Sequence, residues 1–84
     1  MNISFHKNAF EDYIFFQKND KKLSNKINEL LKNITKETFT GIGKPEPLKH
    51  SLTGCWSRRI NNEHRIVYTV KDNTIYVMQC RYHY

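Results

Sequence analysis

Residues 64–84 read HRIVYTVKDNTIYVMQCRYHY, and apolar side chains alternate with polar ones along much of this stretch. An alternation with a period of two is typical of β-strands that bury one face. Asp72 and Asn73 interrupt the pattern with two residue types that favour turns. The stretch therefore predicts two antiparallel strands joined by a short loop.

The same period of two continues in the residues before this hairpin. It is present in LKHSL (residues 48–52) and in WSRRIN (residues 56–61), with turn signals at Thr53-Gly54 and at residues 61–63. Residues 3–5 are a candidate first strand. We expect a mainly antiparallel sheet of four or five strands.

Two helices are predicted between the first strand and the rest of the sheet. Asn8 is the expected N-cap of the first helix, with Glu11 as its reciprocal acid, and Asp20 is the expected N-cap of the second. The first helix is expected to bury Phe10, Tyr13, Ile14 and Gln17, with Phe15 and Phe16 widening the stripe. The second is expected to bury Leu23, Ile27, Leu30, Leu31 and Ile34. Two helices packed on one sheet give an α+β fold in a single domain, residues 1–84.

Residue parity divides the strand residues between the two faces of the sheet. Even residues are expected to face the helices, namely Trp56, Ile60, Ile66, Tyr68, Val70, Tyr76, Met78 and Cys80. Keeping this division across the hairpins requires three-residue loops or compensating bulges. A loop at residues 72–74 would place Arg65 opposite Arg81, and a similar earlier loop would place Arg59 opposite Arg65. The last strand is expected to run to about His83, with Arg81 and His83 pointing outward.

Two polar residues have even numbers, although the face that packs on the helices is otherwise mostly apolar. Arg58 shares the core face and is expected to snorkel or to form an ion pair. His64, like His6 and His50, is expected to be a surface or strand-end histidine.

The chain carries fourteen Lys and Arg against eight Asp and Glu, a net charge of +6. This excess attracts polyanions, so nucleic acid is the leading class of partner. Cys55 and Cys80 lack metal-site spacing and are expected to be buried free thiols, and no metal or cofactor is expected. The sequence has neither a leader pattern nor an apolar run long enough to span a membrane, so we expect a cytoplasmic protein.

Metal-free cleavage of RNA needs a base for the 2′-hydroxyl proton, an acid for the departing 5′-oxygen and cations for the phosphate. Glu46 is the candidate base because Pro45 and Pro47 restrict the backbone on both sides of it. His83 is the candidate acid, since histidine exchanges protons near neutral pH.

The candidate phosphate-binding residue is Arg65, supported by Arg59 and Lys49. Tyr84 is a candidate to stack on a nucleobase. A non-catalytic RNA- or ribosome-binding module would use the same basic face, so the residues alone leave both hypotheses open.

Five stretches narrow these hypotheses: DKKLSNKINELLKNI, GKPEPLKH, GCWSRRI, EHRIVY and CRYHY. In this order they make the whole chain resemble the YoeB toxins of the RelE/ParE superfamily. The resemblance implies a microbial-RNase-like α+β fold and a metal-independent mRNA endonuclease that acts in the decoding site of the ribosome. It also implies a YefM-type antitoxin, a homodimer, and contact with operator DNA only through the antitoxin.

The resemblance further implies a role for each candidate residue. The family's proton acceptor falls on Glu46, its proton donor on His83 and its phosphate-binding arginine on Arg65. Supporting positions fall on Lys49, Arg59 and Tyr84. A ParE-like inhibitor of a DNA topoisomerase would share the fold without needing a Glu/His pair, and it remains a third hypothesis.

Overall fold

The computed structural model describes residues 1–82, which form two helices on a five-stranded sheet. The strands are β1 (Asn2–Phe5), β2 (Glu46–Pro47), β3 (Trp56–Arg59), β4 (Arg65–Lys71) and β5 (Thr74–Gln79). The helices are α1 (Lys7–Asn19) and α2 (Lys21–Lys36). The sheet order is β1-β5-β4-β3-β2, with β1 parallel to β5 and the other pairs antiparallel. The predicted α+β architecture is confirmed.

Helix α2 follows the prediction closely. The Asp20 carboxylate accepts a hydrogen bond from the Leu23 N–H at 3.1 Å, as expected of an N-cap. The helix buries all of its predicted stripe, namely Leu23, Ile27, Leu30, Leu31 and Ile34. A single apolar stripe with a polar opposite face allows only one orientation on the sheet.

Helix α1 differs from the prediction in both its start and its buried face. It begins at Lys7, with His6 as an N-cap that makes no side-chain capping bond, so Asn8 is not the cap. Ala9 and Phe16 are buried, whereas Phe10 and Phe15 are 50% and 41% exposed. The small Ala9 permits close approach to the end of the sheet, where the Cys80 thiol donates to the Ala9 carbonyl at 3.2 Å.

The predicted strand at residues 48–52 is wrong. Pairing with β3 is limited to Glu46 and Pro47, and a 3₁₀ turn occupies His50–Leu52. His50 has a φ of 59°, in the left-handed region that a strand does not contain.

The β4–β5 loop has two residues, not three. Asp72 and Asn73 have φ angles of 52° and 58°, the combination required by a type I′ turn, and Lys71 pairs with Thr74. This register reverses the expected faces of β5. Ile75 and Val77 are fully buried, while Tyr76 and Met78 are 36% and 42% exposed.

A β-bulge then restores the expected faces beyond Met78. Tyr68 pairs with Val77, and the adjacent residue of β4, Val67, pairs with Gln79. Cys80 is consequently buried in the core, as predicted. Strand β5 ends at Gln79, so the prediction that it continues to about His83 is wrong.

Arg58 lies entirely within the core. Its guanidinium donates to the Tyr68 hydroxyl and to the Asn33 side-chain carbonyl. It also donates to backbone carbonyls of the loop after α2, those of Glu37, Thr38, Thr40 and Ile42. The partners of Arg58 are thus neutral oxygens, in place of the ion pair that the sequence suggested.

Candidate active site

Glu46 lies at one end of a row of side chains that crosses the sheet on the face opposite the helices. Glu46 is opposite Ser57, Ser57 is opposite Val67, and Val67 is opposite Gln79. Directly opposed residues share a face, and neighbouring strands lie about 5 Å apart. Glu46 is exposed, so its carboxylate is accessible at the rim.

The next row on the same face contains Arg59 opposite Arg65, the pairing that the sequence predicted. Arg59 is two residues from Ser57, and residues i and i+2 of a strand lie on one face about 7 Å apart. The sheet therefore places Glu46, Arg59 and Arg65 on one face, in two adjacent rows.

The loop before Glu46 is fastened to the sheet and to α2. The Gly43 carbonyl accepts a hydrogen bond from the Arg59 N–H at 2.7 Å. Gly43 has a φ of 80°, and a Cβ at this position would lie 2.7 Å from the Leu30 Cδ2. Only glycine fits this approach without displacing a neighbour. Arg58 also holds carbonyl oxygens of this loop just upstream. The loop is therefore fixed, and Glu46 lies at a defined edge of the sheet.

Arg65 is 7% exposed and is oriented by the turn before it. Its Nη1 donates to the carbonyls of Asn61 at 2.7 Å and His64 at 3.1 Å. The Asn61 side chain shapes that turn by accepting from the backbone N–H groups of Glu63 and His64. Within residues 1–82 the hydrogen bonds of the Arg65 side chain all leave from Nη1.

Lys49, the predicted supporting cation, lines the same surface depression as Glu46. A shallow surface depression is lined by Glu46, Pro47, Leu48, Lys49, His50 and Leu52. Lys49 and His50 are exposed.

His64 lies at the end of a strand, directly before β4, which is one of the two expected placements, but it is not on the surface. It is 7% exposed, and its ring packs between Phe16 and Tyr82, with centroid distances of 5.2 and 5.5 Å. Its Nδ1 accepts a hydrogen bond from the Tyr82 N–H at 2.7 Å. The even number of His64, which it shares with the core face, could have indicated its burial. The bond to Tyr82 had no such signal, because it joins residues far apart in sequence.

The chain turns away from the sheet after Gln79. Arg81 is directed to α1, where it lies 3.6 Å from the Asp12 carboxylate and stacks over the Phe15 ring at 4.4 Å. The prediction of an outward Arg81 opposite Arg65 is therefore wrong. The Arg65 N–H donates instead to the Tyr82 carbonyl at 3.0 Å. His83 and Tyr84 lie outside the described residues.

The buried thiol of Cys80 does not contribute a nucleophile. Burial raises the pKa of Cys80 to about 12, and the nearby Asp12 charge acts in the same direction. The thiol is therefore protonated at neutral pH and unreactive. Cys55 is partly exposed rather than buried, and both cysteines are free.

Comparison with known proteins places this arrangement in a family. The sequence profile of the YoeB-like toxins of bacterial type II toxin-antitoxin systems matches residues 5–84. The chain belongs to the YoeB family. A YoeB toxin from Synechocystis is 55% identical over 84 residues, which cover the whole chain and 98% of that relative.

Solved YoeB structures share the fold. A YoeB–YefM complex from Staphylococcus aureus contains a chain that is 60% identical, with a TM-score of 0.94 and coverage of 100% of this chain and 98% of that one. A structure of a YoeB dimer from the same organism has 61% identity, a TM-score of 0.93 and the same coverage. The chain therefore has the RelE-like microbial RNase fold of the YoeB family. No helix in residues 1–82 is long and apolar enough to cross a membrane.

Proposed function

We propose that this type II toxin is a ribosome-dependent mRNA endoribonuclease that needs no metal ion and acts in the cytoplasm to inhibit translation. The observation that carries the proposal is the placement of Glu46 one row away from the Arg59–Arg65 pair on a single face of the sheet. The basic net charge of +6 favours a polyanionic substrate such as RNA.

The proposed chemistry is a transphosphorylation. Glu46 takes the proton of a 2′-hydroxyl, and the freed oxygen attacks the adjacent phosphorus in line. Arg65 and Arg59 stabilise the charge that develops on the pentacovalent phosphate. His83 gives a proton to the 5′-oxygen as the P–O bond to it breaks. The products are a 2′,3′-cyclic phosphate and a 5′-hydroxyl.

The remaining candidates have supporting roles. Lys49 would contact a neighbouring phosphate from the rim, and Tyr84 would stack on a base. The turn carbonyls that hold Nη1 of Arg65 favour electrostatic catalysis, because the guanidinium need not reorganise when charge develops.

The proposed partners are those of the relatives. The Staphylococcus aureus structures contain a YoeB–YefM complex and a YoeB dimer. We therefore extend to this chain a YefM-type antitoxin and a homodimer, with operator DNA bound only through the antitoxin.

The test compares the wild type with Glu46→Gln on mRNA in programmed ribosomes and on the same mRNA free in solution. The variant is expected to bind ribosomes normally and to cleave about a hundred- to ten-thousand-fold more slowly, the usual contribution of a positioned base. Glu11→Gln is the matched control, since Glu11 is an exposed acid on α1.

The chemical ends of the products are the second readout. A 3′-hydroxyl and a 5′-phosphate would contradict the proposed mechanism. Inhibition of translation by both the wild type and Glu46→Gln, without cleavage by either, would indicate a binding module, and topoisomerase inhibition without cleavage would indicate a ParE-like toxin.

A further inference from the structure

We propose that His64 is a positioning residue, which fixes the backbone at Tyr82 and thereby sets where the chain delivers His83. The inference rests on the proposed function, because it takes His83 to be the proton donor. It concerns a side chain to which neither the sequence pattern nor the family resemblance gave a role.

The backbone of Tyr82 is held from both sides by two consecutive residues. Its N–H donates to Nδ1 of His64 at 2.7 Å, and its carbonyl accepts from the Arg65 N–H at 3.0 Å. The Gln79 side chain donates to the same carbonyl at 3.3 Å and to the Arg81 carbonyl at 2.9 Å. Tyr82 directly precedes the candidate acid, His83. Its backbone is therefore hydrogen-bonded both to His64 and to the candidate phosphate-binding residue, Arg65.

Tyr82 needs this support because it has left the regular sheet. Strand β5 ends at Gln79, so residues 80–82 do not belong to its regular ladder of hydrogen bonds. Tyr82 has a φ of 62°, a left-handed conformation that is uncommon for residues other than glycine. Such a conformation persists only where its surroundings enforce it. The torsion angles of Tyr82 determine the direction in which the chain continues, so their loss would misdirect His83.

The hydrogen bond requires a lone pair at Nδ1 of His64. A neutral imidazole that accepts at Nδ1 carries its proton on Nε2. Here Nε2 lies 3.4 Å from the exposed carboxylate of Glu63. The ring also contacts the rings of Phe16 and Tyr82. His64 is thus fixed in both orientation and tautomer.

This geometry provides two substitutions that distinguish loss of the hydrogen bond to Tyr82 from a change in side-chain size. The side-chain oxygen of Asn lies where Nδ1 of histidine lies, whereas the Gln amide extends toward the position of Nε2. His64→Asn is therefore expected to keep the bond to the Tyr82 N–H, and His64→Gln to lose it. Phe16→Leu is the control for stability, since it removes a ring contact of His64 but no hydrogen bond to Tyr82.

The experiment measures the single-turnover cleavage rate on programmed ribosomes, ribosome affinity, thermal unfolding and exchange of the Tyr82 amide proton by NMR. His64→Gln is expected to cleave about tenfold to a hundredfold more slowly, the cost of a misplaced catalytic group, with unchanged affinity. Its Tyr82 amide is expected to exchange faster. His64→Asn and Phe16→Leu are expected to stay close to the wild type in both respects.

A second comparison joins His64 to the proposed acid. In a His83→Gln background, His64→Gln is expected to cause no further loss of rate, because there is no donor left to position. Equal effects of Asn and Gln at residue 64 would overturn the inference. A loss of cleavage rate in His64→Gln that multiplies with the loss caused by His83→Gln would also overturn it. The same holds if Phe16→Leu loses as much rate as His64→Gln at matched stability. A wild type that does not cleave mRNA would instead remove the proposed function itself.

Discussion

Arg59 and Arg65 lie directly opposite each other on β3 and β4, although like charges in this position repel. The two are held differently. Arg65 is nearly buried and bonded to turn carbonyls, whereas Arg59 is exposed. The repulsion between the two arginines decreases when an anion binds between them. The repulsion in the free protein therefore favours phosphate binding.

Replacing Arg59 with Gln removes this repulsion. We expect the free energy of unfolding to stay the same or to rise by less than about 1 kcal/mol. The wild type should be stabilised by added phosphate more than the variant, which has lost half of the anion site. Thermal unfolding in phosphate and in chloride at equal ionic strength measures both effects. Equal responses of the two proteins would show that the pair does not bind phosphate.

Arg58 supports the loop that leads to Glu46, and its replacement by Lys is expected to be severe. Lys has three donors and cannot serve the set of oxygens that the buried guanidinium contacts. Each buried carbonyl left without a donor costs about 1–3 kcal/mol, so the free energy of unfolding should fall by about 3 kcal/mol or more. Urea denaturation measures the loss. Arg59→Lys, next in sequence but exposed, should change the stability by less than about 0.5 kcal/mol.

Cys80 makes stability depend on pH in the alkaline range. Its pKa rises from 9.0 to about 12 on folding, so the folded state retains the proton that the unfolded state loses. The contribution is complete below pH 9 and is lost as pH rises toward 12. Burial also raises the pKa of Tyr68, which adds a dependence of the same sign above its ordinary value. Cys80→Ala should have a flatter stability profile across this window, while Cys55→Ala should keep the wild-type slope.

Asn73 occupies the second central position of the type I′ turn with a φ of 58°. Glycine is favoured there, so Asn73→Gly should raise the free energy of unfolding by about 0.5 kcal/mol. Asn73→Val should lower it by about 1–3 kcal/mol, because a β-branched residue is strained in this region. Denaturant midpoints of the two variants provide the measurement. An unchanged midpoint for the valine variant would show that the loop adopts another conformation.

The parts of the fold that the sequence predicted are those set by a single repeating pattern. Helix α2 has one apolar stripe, and the Arg59–Arg65 pairing requires only that an odd number of residues separates β3 from β4. Helix α1 has large apolar side chains around much of its circumference, so spacing could not identify the buried face. Which side chains of β5 face the core depends on whether Thr74 belongs to the loop or to the strand, and threonine is compatible with both.

The candidate site was predicted to a similar extent. The alternation of the strands placed Arg59 and Arg65 on one face, whereas Glu46 was chosen for the prolines on both sides of it, and its place on that face follows from the pairing of β2 with β3. The hydrogen bond from Tyr82 to His64 has no such signal, because it links a backbone group to a side chain across 18 residues. Arg81 was misplaced for a related reason, since its contacts with Asp12 and Phe15 are set by where α1 packs.

The bulge in β5 has a consequence for insertions and deletions. Val77 and Gln79 pair with adjacent residues of β4, so Met78 between them is surplus to the ladder. A deletion of Met78 would preserve both pairs and keep Cys80 in the core, whereas a deletion of Tyr76 would turn every later side chain to the other face. The length of this strand is therefore free to change by one residue at Met78, while residues 79–82 keep their places in the fold.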